Sequence, residues 1–525
     1  MTRLSCDALV IGSGAAGATL AATLAEHHFG RVVLVEKGPH YDKSFFDQRE
    51  LDMSVLRAER GRRTTADGAY PVQSGECVGG GTTVNFALCF DPVPAVWRRW
   101  RDEFGVAEFS LDEHAADYGI PGLNLAAATR DVRRRIDVHP VPPAAVNENN
   151  RLFARGAAAL GIGVKPFDLN MRGCIGCGFC GQGCAYDAKR GTLVTYVPEA
   201  LARGVTLVHH CDVEQLNFTQ EGGELRVRGA RGTVRPTVPG SLANAVSPGP
   251  LSIDARIVVV AAGAAASPAL LQRSGYPDPN DLVGRGVVLH PSLPIGGIFD
   301  HIVDGHRGIT GAYYSDAFRE SDGYVLECLF DHPVDTALAA PGFGRAHWDA
   351  MRAYRSLAGF GVMLIDTPSA ENRVVWDAAA QRLVVRYALS DADKTRLRRG
   401  AMTAVRMMLG AGAKEAFLTS DERPGGRAAR FTDARDAIRT DALTFAPHAT
   451  LLASAHIQAS LKMGGDPRRS VVDARGESRS IRNLLVCDAS VFPTSCGANP
   501  MLSIMAMARY QGLRIAAERE RYALA

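Results

Sequence analysis

Four of the chain's eleven cysteines stand in one short segment, where Cys174, Cys177, Cys180 and Cys184 give the pattern CxxCxxCxxxC. This spacing is typical of ferredoxin-like iron–sulfur sites, in which thiolates hold the iron and glycines let a short loop wrap around the cluster. The residue after the fourth cysteine is Ala185 instead of the usual proline, and the sequence has no second set. The segment predicts a 4Fe–4S or 3Fe–4S cluster, and structural zinc, plain thiols or a disulfide remain alternatives.

A glycine-rich turn follows the first apolar run of the chain, in GxGxxG spacing from Gly12 to Gly17. Such a turn lets a pyrophosphate approach the backbone, and the next helix offers its free N–H groups to the phosphates. A second apolar run ends at Glu36, where a carboxylate accepts hydrogen bonds from an adenosine ribose. The alternative is an ordinary βαβ unit with a glycine-rich turn. The residues predicted to contact a dinucleotide here are Gly12, Gly14, Ala15, Ala16, Gly17 and Glu36.

Two further segments fit a planar ligand. Residues 79–85 combine three glycines with hydroxyl and amide side chains, which makes a poor core segment but a good loop against a flat ring. Thr82, Thr83 and Asn85 are predicted to be free to donate hydrogen bonds from this loop. A third apolar run ends at Gly263, and it predicts a second backbone approach to the same ligand.

The elements that must position these residues follow from length and patterning. A chain of 525 residues with 46% hydrophobic and 22% charged residues predicts two globular domains. Period-two alternation between residues 291 and 388 predicts an antiparallel sheet. Residues 189–202 are predicted to form a helix, and residues 229–250 a surface excursion. The formal net charge of +3 is spread along the chain, which favours solvated helix faces over a nucleic-acid surface.

No run of 18 apolar residues indicates a membrane span, and the first strand begins too early for a secretory signal. A cytoplasmic location is therefore expected, with the scattered cysteines as reduced thiols.

Taken together and in this order, these motifs resemble the glucose–methanol–choline (GMC) family of FAD-dependent oxidoreductases. The first fingerprint resembles residues 12–17, and the family's two signatures resemble residues 79–85 and 263–268. The strand that begins at Asp488 is similar to the family's C-terminal strand. The family's catalytic histidine corresponds to His456, and its catalytic partner corresponds to Asn499.

The resemblance implies an α/β fold: a Rossmann-like FAD-binding domain interleaved with an α+β substrate domain built on an antiparallel sheet. It implies an FAD domain of residues 1–95, 185–290 and 446–525, and a substrate domain of residues 96–184 and 291–445 that includes the cysteine segment 174–184. Val84 stands where some relatives attach FAD through histidine, so noncovalent FAD is expected. The further cofactor contacts that the resemblance implies are Gly80, Gly81, Thr82, Asn85, Val213, Gly263, Asp488, Pro500 and Met501.

The implied reaction is the oxidation of an alcohol to a carbonyl by hydride transfer to flavin N5, with His456 as general base and Asn499 holding the alcohol oxygen. His290 and His448 are alternative site histidines. An iron–sulfur cluster would favour a dehydrogenase that passes electrons to an acceptor protein or a quinone. An oxidase that forms hydrogen peroxide, a lyase on the same fold and a noncatalytic electron-transfer subunit remain alternatives. The low aromatic content, 7%, favours a hydrophobic alcohol over a sugar.

Overall fold

The computed structural model describes residues 2–522 and places the glycine-rich turn at the carboxyl end of an interior strand of a seven-stranded mixed sheet. Strands from the N-terminus, the middle and the C-terminus of the chain build this sheet. Its neighbours pair in the order Thr206–Val208, Val32–Val35, Thr2–Ile11, Gly249–Val260, Glu224–Val234 and Cys211–Glu221, and Leu484–Val486 pairs in parallel with Gly249–Val260. The pairs that involve the first strand are parallel, which requires crossover connections of the Rossmann type.

Burial explains why these runs form parallel strands. All four residues of Val32–Val35 are buried, as expected for a strand covered on both faces. The helix Ala15–Glu26 covers one face, and the C-terminal helix Met501–Ala517 packs against it. A side chain at Gly512 would lie 2.7 Å from Thr23, so this close helix contact depends on a small residue.

The second sheet is antiparallel and also has seven strands. Its order is Arg430–Phe431, Glu415–Leu418, Ser292–Ile298, Leu357–Leu364, Tyr324–Cys328, Tyr313–Ser315 and Lys165–Pro166. Two small sheets complete the strands: Arg373–Asp377 with Arg382–Arg386, and Leu88–Cys89 with Asp168–Asn170 and Val138–Pro140. The long helix Asp391–Gly410 packs on the antiparallel sheet. The sheet confirms the alternation found between residues 291 and 388, and the two sheet types together confirm the predicted fold class.

The remaining α-helices connect these layers. They are Gly81–Val84, Pro94–Phe104, Leu125–Arg135, Glu148–Ala159, Tyr196–Ala202, Ala266–Arg273, Arg319–Asp322, Pro333–Ala339 and Gly344–Arg352. Within residues 2–522, no helix is long and apolar enough to cross a membrane.

Two predictions about elements were wrong in extent. Residues 229–250 are not one surface excursion, because two strands occupy both ends and pair antiparallel from Gly249 to Asp254. The helix predicted from Lys189 begins only at Tyr196. Lys189 lies before the helix, and its side chain is buried against the 79–85 loop and the cysteine segment.

Candidate active site

The glycine-rich turn and the loop at residues 79–85 meet face to face. A Cβ on Gly80 would lie 2.8 Å from Gly14 Cα, and one on Gly12 would lie 2.3 Å from Ala261 O. A Cβ on Gly17 would lie 1.8 Å from Gly12 O, so the first helix packs directly on the turn. The three backbone segments therefore approach one another only because they carry no side chains.

The first helix leaves its N-terminus open for a ligand. Gly14 is its N-cap and makes no side-chain cap bond, so the N–H groups of Ala15 and Ala16 keep no capping partner. An uncapped N-terminus with a partial positive charge is suited to phosphate. Binding of a dinucleotide phosphate by these residues remains a prediction, and the uncapped helix N-terminus that it requires is present.

Glu36 is buried beside this turn. Its Oε2 accepts hydrogen bonds from the Ser13 amide at 3.0 Å and the Ser13 hydroxyl at 2.7 Å, and its Oε1 accepts one from the Gly38 amide at 2.9 Å. Burial raises the pKa of Glu36, and these bonds counteract the rise. A carboxylate has about four acceptor positions, so Oε1 retains one for a ribose hydroxyl.

The hydroxyls of the 79–85 loop point into the loop itself. Thr82 donates to Gly79 O at 2.7 Å, and Thr83 donates to Val78 O at 3.0 Å. The Asn85 amide donates to Met501 Sδ at 2.9 Å, while its oxygen accepts from the Ala87 amide. The expectation that these side chains are free donors was therefore wrong. The loop offers its backbone, since a Cβ on Gly81 would meet nothing within 4 Å.

Lys189 is a residue that sequence reasoning missed. It is 5% exposed, and its Nζ donates to Thr83 O at 2.7 Å, Asn85 O at 2.8 Å and Cys180 O at 2.5 Å. Burial lowers its pKa to about 8. The ammonium thus joins the 79–85 loop to the cysteine segment. The only sequence signal for this role was that Lys189 follows the glycine-containing cysteine segment 174–184, and this signal is weak.

The predicted C-terminal contacts form a second cluster near the sheet edge. Asp488 Oδ2 accepts from the Gly263 amide at 2.9 Å and from the Ser267 hydroxyl at 2.5 Å, which ties the Gly263 turn to the last strand. Pro500 caps the helix that begins at Met501, without a side-chain bond. Val213 lies in the strand Cys211–Glu221 at a register shift.

Two histidines form a pair between the sheets. His290 Nδ1 and His456 Nδ1 lie 3.1 Å apart and share a hydrogen bond. The pairing follows from backbone geometry, because Val288 and Gln458 bridge antiparallel with bonds of 3.0 and 2.9 Å. Two residues along each strand, His290 and His456 stand opposite each other on one face. His290, an alternative in the sequence analysis, therefore belongs to the same site as His456.

The backbone of His290 is held in an uncommon conformation. Its φ is 49°, in the left-handed region, and strain of this kind persists where surrounding contacts enforce it. Asp366 supplies those contacts, accepting from the Leu289 amide at 2.8 Å and the His290 amide at 2.9 Å, and also from the Tyr387 hydroxyl at 2.8 Å. Burial raises the pKa of Asp366 to about 6.

Burial keeps both imidazoles neutral. It lowers the pKa of His456 to about 4, and it lowers the pKa of His290 well below the usual range, with the neighbouring His456 adding to the effect. His290 Nε2 is buried and has no hydrogen-bond partner among the described residues. His456 keeps part of its surface accessible, so it is the histidine of the pair that lines open space.

Asn499 lies just before the last helix, Met501–Ala517, and completes the site. Asn499 does not cap this helix, although an asparagine before a helix suggests that role. Instead its Nδ2 donates to Glu327 Oε2 at 3.4 Å, and its Oδ1 is buried without a partner in the part of the chain described. The backbone between Asn499 and the histidines is joined where the Cys496 amide donates to Gln458 Oε1 at 2.9 Å.

His448 lies apart from this site. It is exposed, and its ring lies against Gly68.

The clustered cysteines surround one small cavity of about 20 Å³. Nevertheless, residues 2–522 contain no group of three or more Cys, His, Asp or Glu side chains arranged to hold a metal ion. Burial raises the pKa of Cys180 to about 12 and also raises that of Cys174. The predicted iron–sulfur cluster is not supported by the structure, nor is the zinc alternative, and each cysteine is a free thiol.

Packing accounts for the glycines of this segment. A Cβ on Gly178 would lie 2.0 Å from His306 O, and one on Gly183 would lie 2.4 Å from the ring of Phe46. The glycines therefore permit close contact with neighbouring segments. The spacing brings all four cysteines to one cavity, but it does not by itself establish a cluster there.

Comparison with known proteins identifies the family. Two models described as GMC oxidoreductase match residues 6–292 and 368–508. A GMC-type oxidoreductase of Mycobacterium tuberculosis is 32% identical over 505 residues, which cover 96% of this chain and 74% of that protein. The chain belongs to the GMC oxidoreductase family. A long-chain-alcohol oxidase of Arabidopsis thaliana is 27% identical over 532 residues, covering 98% of this chain and 67% of the relative.

Solved structures share the fold. Pyridoxine 4-oxidase from Mesorbium loti matches with a TM-score of 0.66 at 21% identity, over 97% of this chain and 99% of that chain. A formate oxidase matches with a TM-score of 0.70 at 16% identity, over 99% and 100%. At these identities the likeness concerns the fold alone.

GMC oxidoreductases bind FAD, and the residues present fit that cofactor. Gly14, Gly80 and Gly81 together leave a concave backbone surface, which we call the glycine cradle and which side chains at these positions would fill. Glu36 keeps an acceptor position, and the first helix keeps its uncapped N-terminus. Gly263 has φ 88°, and a Cβ there would meet nothing within 4 Å, so it also leaves space beside the site.

Proposed function

We propose that this protein oxidises an alcohol to a carbonyl compound with noncovalently bound FAD, using His456 as general base. FAD, when bound, supplies the acceptor for the hydride. The proposal rests above all on the neutral, hydrogen-bonded pair of His290 and His456. Family membership and the glycine cradle support the cofactor. Val84 offers no side chain that could attach FAD covalently.

The tautomers of the pair decide which nitrogen can accept a proton. When His456 donates its Nδ1–H to His290 Nδ1, the Nε2 of His456 is left as an acceptor. This nitrogen can take the hydroxyl proton of an alcohol as the C–H bond breaks. The bond to His290 then persists in the imidazolium form and stabilises it. His290 is therefore proposed to orient and support the base.

Asn499 is proposed to bind the oxygen of the alcohol. Its amide is buried, with one oxygen that lacks a partner in the described structure. A buried polar group of this kind costs about 1–3 kcal/mol if it stays unpaired. The one hydroxyl hydrogen of the alcohol goes to His456 Nε2 when His456 acts as base, so the amide must then turn an N–H toward the alcohol oxygen.

We propose molecular oxygen as the electron acceptor. The dehydrogenase prediction depended on the iron–sulfur cluster, which the structure does not support. Among the relatives, those with a stated activity include oxidases of long-chain alcohols. They also favour an apolar primary alcohol as the substrate. A protein or quinone acceptor remains the alternative.

Anaerobic mixing of the FAD-loaded protein with a panel of alcohols tests the proposal. We expect long-chain alcohols to bleach the flavin absorbance, and air to restore it with formation of hydrogen peroxide. Bleaching without rapid reoxidation by oxygen would refute the oxidase and support another acceptor. An unchanged flavin spectrum with every alcohol would refute alcohol oxidation and favour a lyase.

The matched variant is His456→Gln, compared with His448→Gln at the exposed histidine. General-base catalysis contributes about 10²–10⁴-fold, so we expect His456→Gln to lose at least 100-fold in turnover while it retains FAD. Full turnover in His456→Gln would contradict the proposed base, and would favour a noncatalytic role for this chain.

A further inference from the structure

One carboxyl group in the site has no role in the reaction just described. Glu327 lies on the central strand Tyr324–Cys328 of the antiparallel sheet and is 3% exposed. Its neighbours three positions before it and one position after it, Tyr324 and Cys328, show which side of the sheet is packed by helices. Tyr324 bonds Thr403 at 3.1 Å, and Cys328 receives a bond from Asn149 at 3.1 Å.

Side chains alternate along a strand, so Glu327 points away from these helices. The opposite side of the sheet carries Asn499, whose Nδ2 donates to Glu327 Oε2. This contact joins the antiparallel sheet to the entrance of the helix that begins at Met501. Glu327 therefore faces the site, although it lies in an otherwise apolar strand.

The contact restricts the orientation of the Asn499 amide. An ionised carboxyl can only accept hydrogen bonds, so it holds Nδ2 and leaves Oδ1 toward the site. A protonated carboxyl has an O–H that can donate to Oδ1, and the amide can then turn Nδ2 toward the site. The two amide orientations have the same shape and differ only in what they offer to a ligand.

We propose that Glu327 is a positioning residue, and that its protonation determines whether Asn499 presents an N–H donor or a carbonyl acceptor to the substrate oxygen. This inference rests on the proposed function. The alcohol oxygen gains negative charge as its proton leaves and hydride departs, and such charge is stabilised by a donor. The form with protonated Glu327 is therefore the more active one.

The surroundings identify Glu327 as the group that titrates near neutral pH. Burial raises its pKa to about 7, against smaller opposing effects of Asn499 and Arg319. Arg319 is itself paired with Asp316 at 3.0 Å. Opposite Glu327 in register stand Gly361 and Tyr314.

The other titratable groups that face Glu327 ionise outside this range. The pKa of Tyr314 is raised from its ordinary value of 10.0, and that of Cys496 is raised to about 12. The pKa values of His290 and His456 are lowered by burial. Ionisation of these groups therefore does not overlap with that of Glu327. Asp366 and Lys189, with pKa values of about 6 and about 8, lie elsewhere in the site, and their effect is common to the unaltered protein and Glu327→Gln.

The pH dependence of turnover in the FAD-loaded enzyme tests the inference. In the unaltered protein we expect turnover to fall as pH rises through about 7, approaching tenfold per pH unit. Glu327→Gln should lack this decline, because glutamine does not ionise. Glu320→Gln, at an exposed glutamate of the preceding helix, should retain it. The same decline in Glu327→Gln as in the unaltered protein would overturn the inference.

A second variant separates positioning from general packing. Glu327→Leu removes every partner of the Asn499 amide, so we expect a loss of at least tenfold in kcat with a smaller change in KM. Unchanged kcat in this variant would also overturn the proposed role. The flavin spectrum of each variant shows whether the variant folds and binds FAD.

Infrared spectroscopy gives a readout that requires no turnover. Glu327→Gln keeps other buried carboxyl groups with raised pKa values, such as Asp331 and Asp366. Subtracting its spectrum from that of the unaltered protein should therefore leave one C=O stretch, which disappears as pH rises through about 7. Asn499→Ala should raise the midpoint, because the Asn499 bond favours the ionised form. An unshifted midpoint would refute the coupling between the two residues. If no alcohol reduces the flavin, the proposed function fails, and the infrared result still decides whether Glu327 and Asn499 are coupled.

Discussion

Replacing Glu327 by glutamine should stabilise the folded protein at alkaline pH. The pKa of Glu327 is raised from 4.5 to about 7 by burial, so its ionised form is disfavoured in the folded state. A carboxyl with a raised pKa contributes its stability below the unfolded pKa, and loses it as pH rises through the folded pKa. This rise in pKa corresponds to about 3 kcal/mol of unfolding free energy once the carboxyl is ionised in both states.

Most of this penalty develops between about pH 4.5 and pH 7, because the pKa values of the unfolded and folded states bound that interval. Glutamine does not ionise and is nearly the same size, so Glu327→Gln avoids the penalty. We expect its advantage in unfolding free energy over the unaltered protein to grow by about 2–3 kcal/mol across this range. The assay is denaturant unfolding of the FAD-loaded protein at a series of pH values.

Glu320→Gln provides the matched control, since this glutamate is exposed. We expect its unfolding free energy to follow that of the unaltered protein at every pH. A constant difference between Glu327→Gln and the unaltered protein would refute the reasoning, because it would mean that Glu327 carries no raised pKa in the folded state. If Glu327→Gln instead became less stable than the unaltered protein as pH rises, the pKa of Glu327 would be lowered by folding, which also contradicts the reasoning.

Three further predictions concern the cofactor cradle and the histidine pair. Lys189→Met leaves three backbone carbonyls without their donor, so we expect a loss of at least about 3 kcal/mol in unfolding free energy and weaker FAD retention. Lys43→Met, at the surface, should keep the stability and the FAD content of the unaltered protein. Equal flavin-to-protein absorbance ratios in the two variants would contradict the prediction for Lys189. Gly80→Ala places a Cβ 2.8 Å from Gly14 Cα, so we expect reduced FAD content on dialysis, with Gly163→Ala unaffected and serving as control. Asp366→Ala removes the acceptor of two backbone amides, and we expect about 2–4 kcal/mol of destabilisation together with slower turnover; a stable variant of normal activity would show that the backbone conformation of His290 needs no such support.

The sequence predicted what depends on local backbone geometry. The turn from Gly12 to Gly17 is recognisable because each glycine answers a steric demand within about 30 residues, and the structure shows the same demand at Gly12 O and Ala261 O. The strand Ser292–Ile298 alternates between buried and partly buried residues as the sequence predicted, whereas Tyr324–Cys328 and Leu357–Leu364 are buried almost throughout.

The rest depends on which segments meet in space. Nothing local to His290 indicates that it opposes His456, since the pairing comes from a bridge between residues 170 positions apart in the chain, Val288 and Gln458. Glu327 is one charged residue in an apolar strand, and its partner lies 172 residues away. The hydroxyl of Thr82 was expected to face a ligand, but a side chain's direction is fixed by neighbours such as Thr192.

The rate of flavin reduction by an alcohol, followed by anaerobic stopped flow, tests the central claim most directly. We predict that His456→Gln slows this single step at least 100-fold, with unchanged FAD content and with little change in the alcohol concentration that gives half the maximal rate. Equal reduction rates in the variant and the unaltered protein would contradict the assignment of His456 as the base.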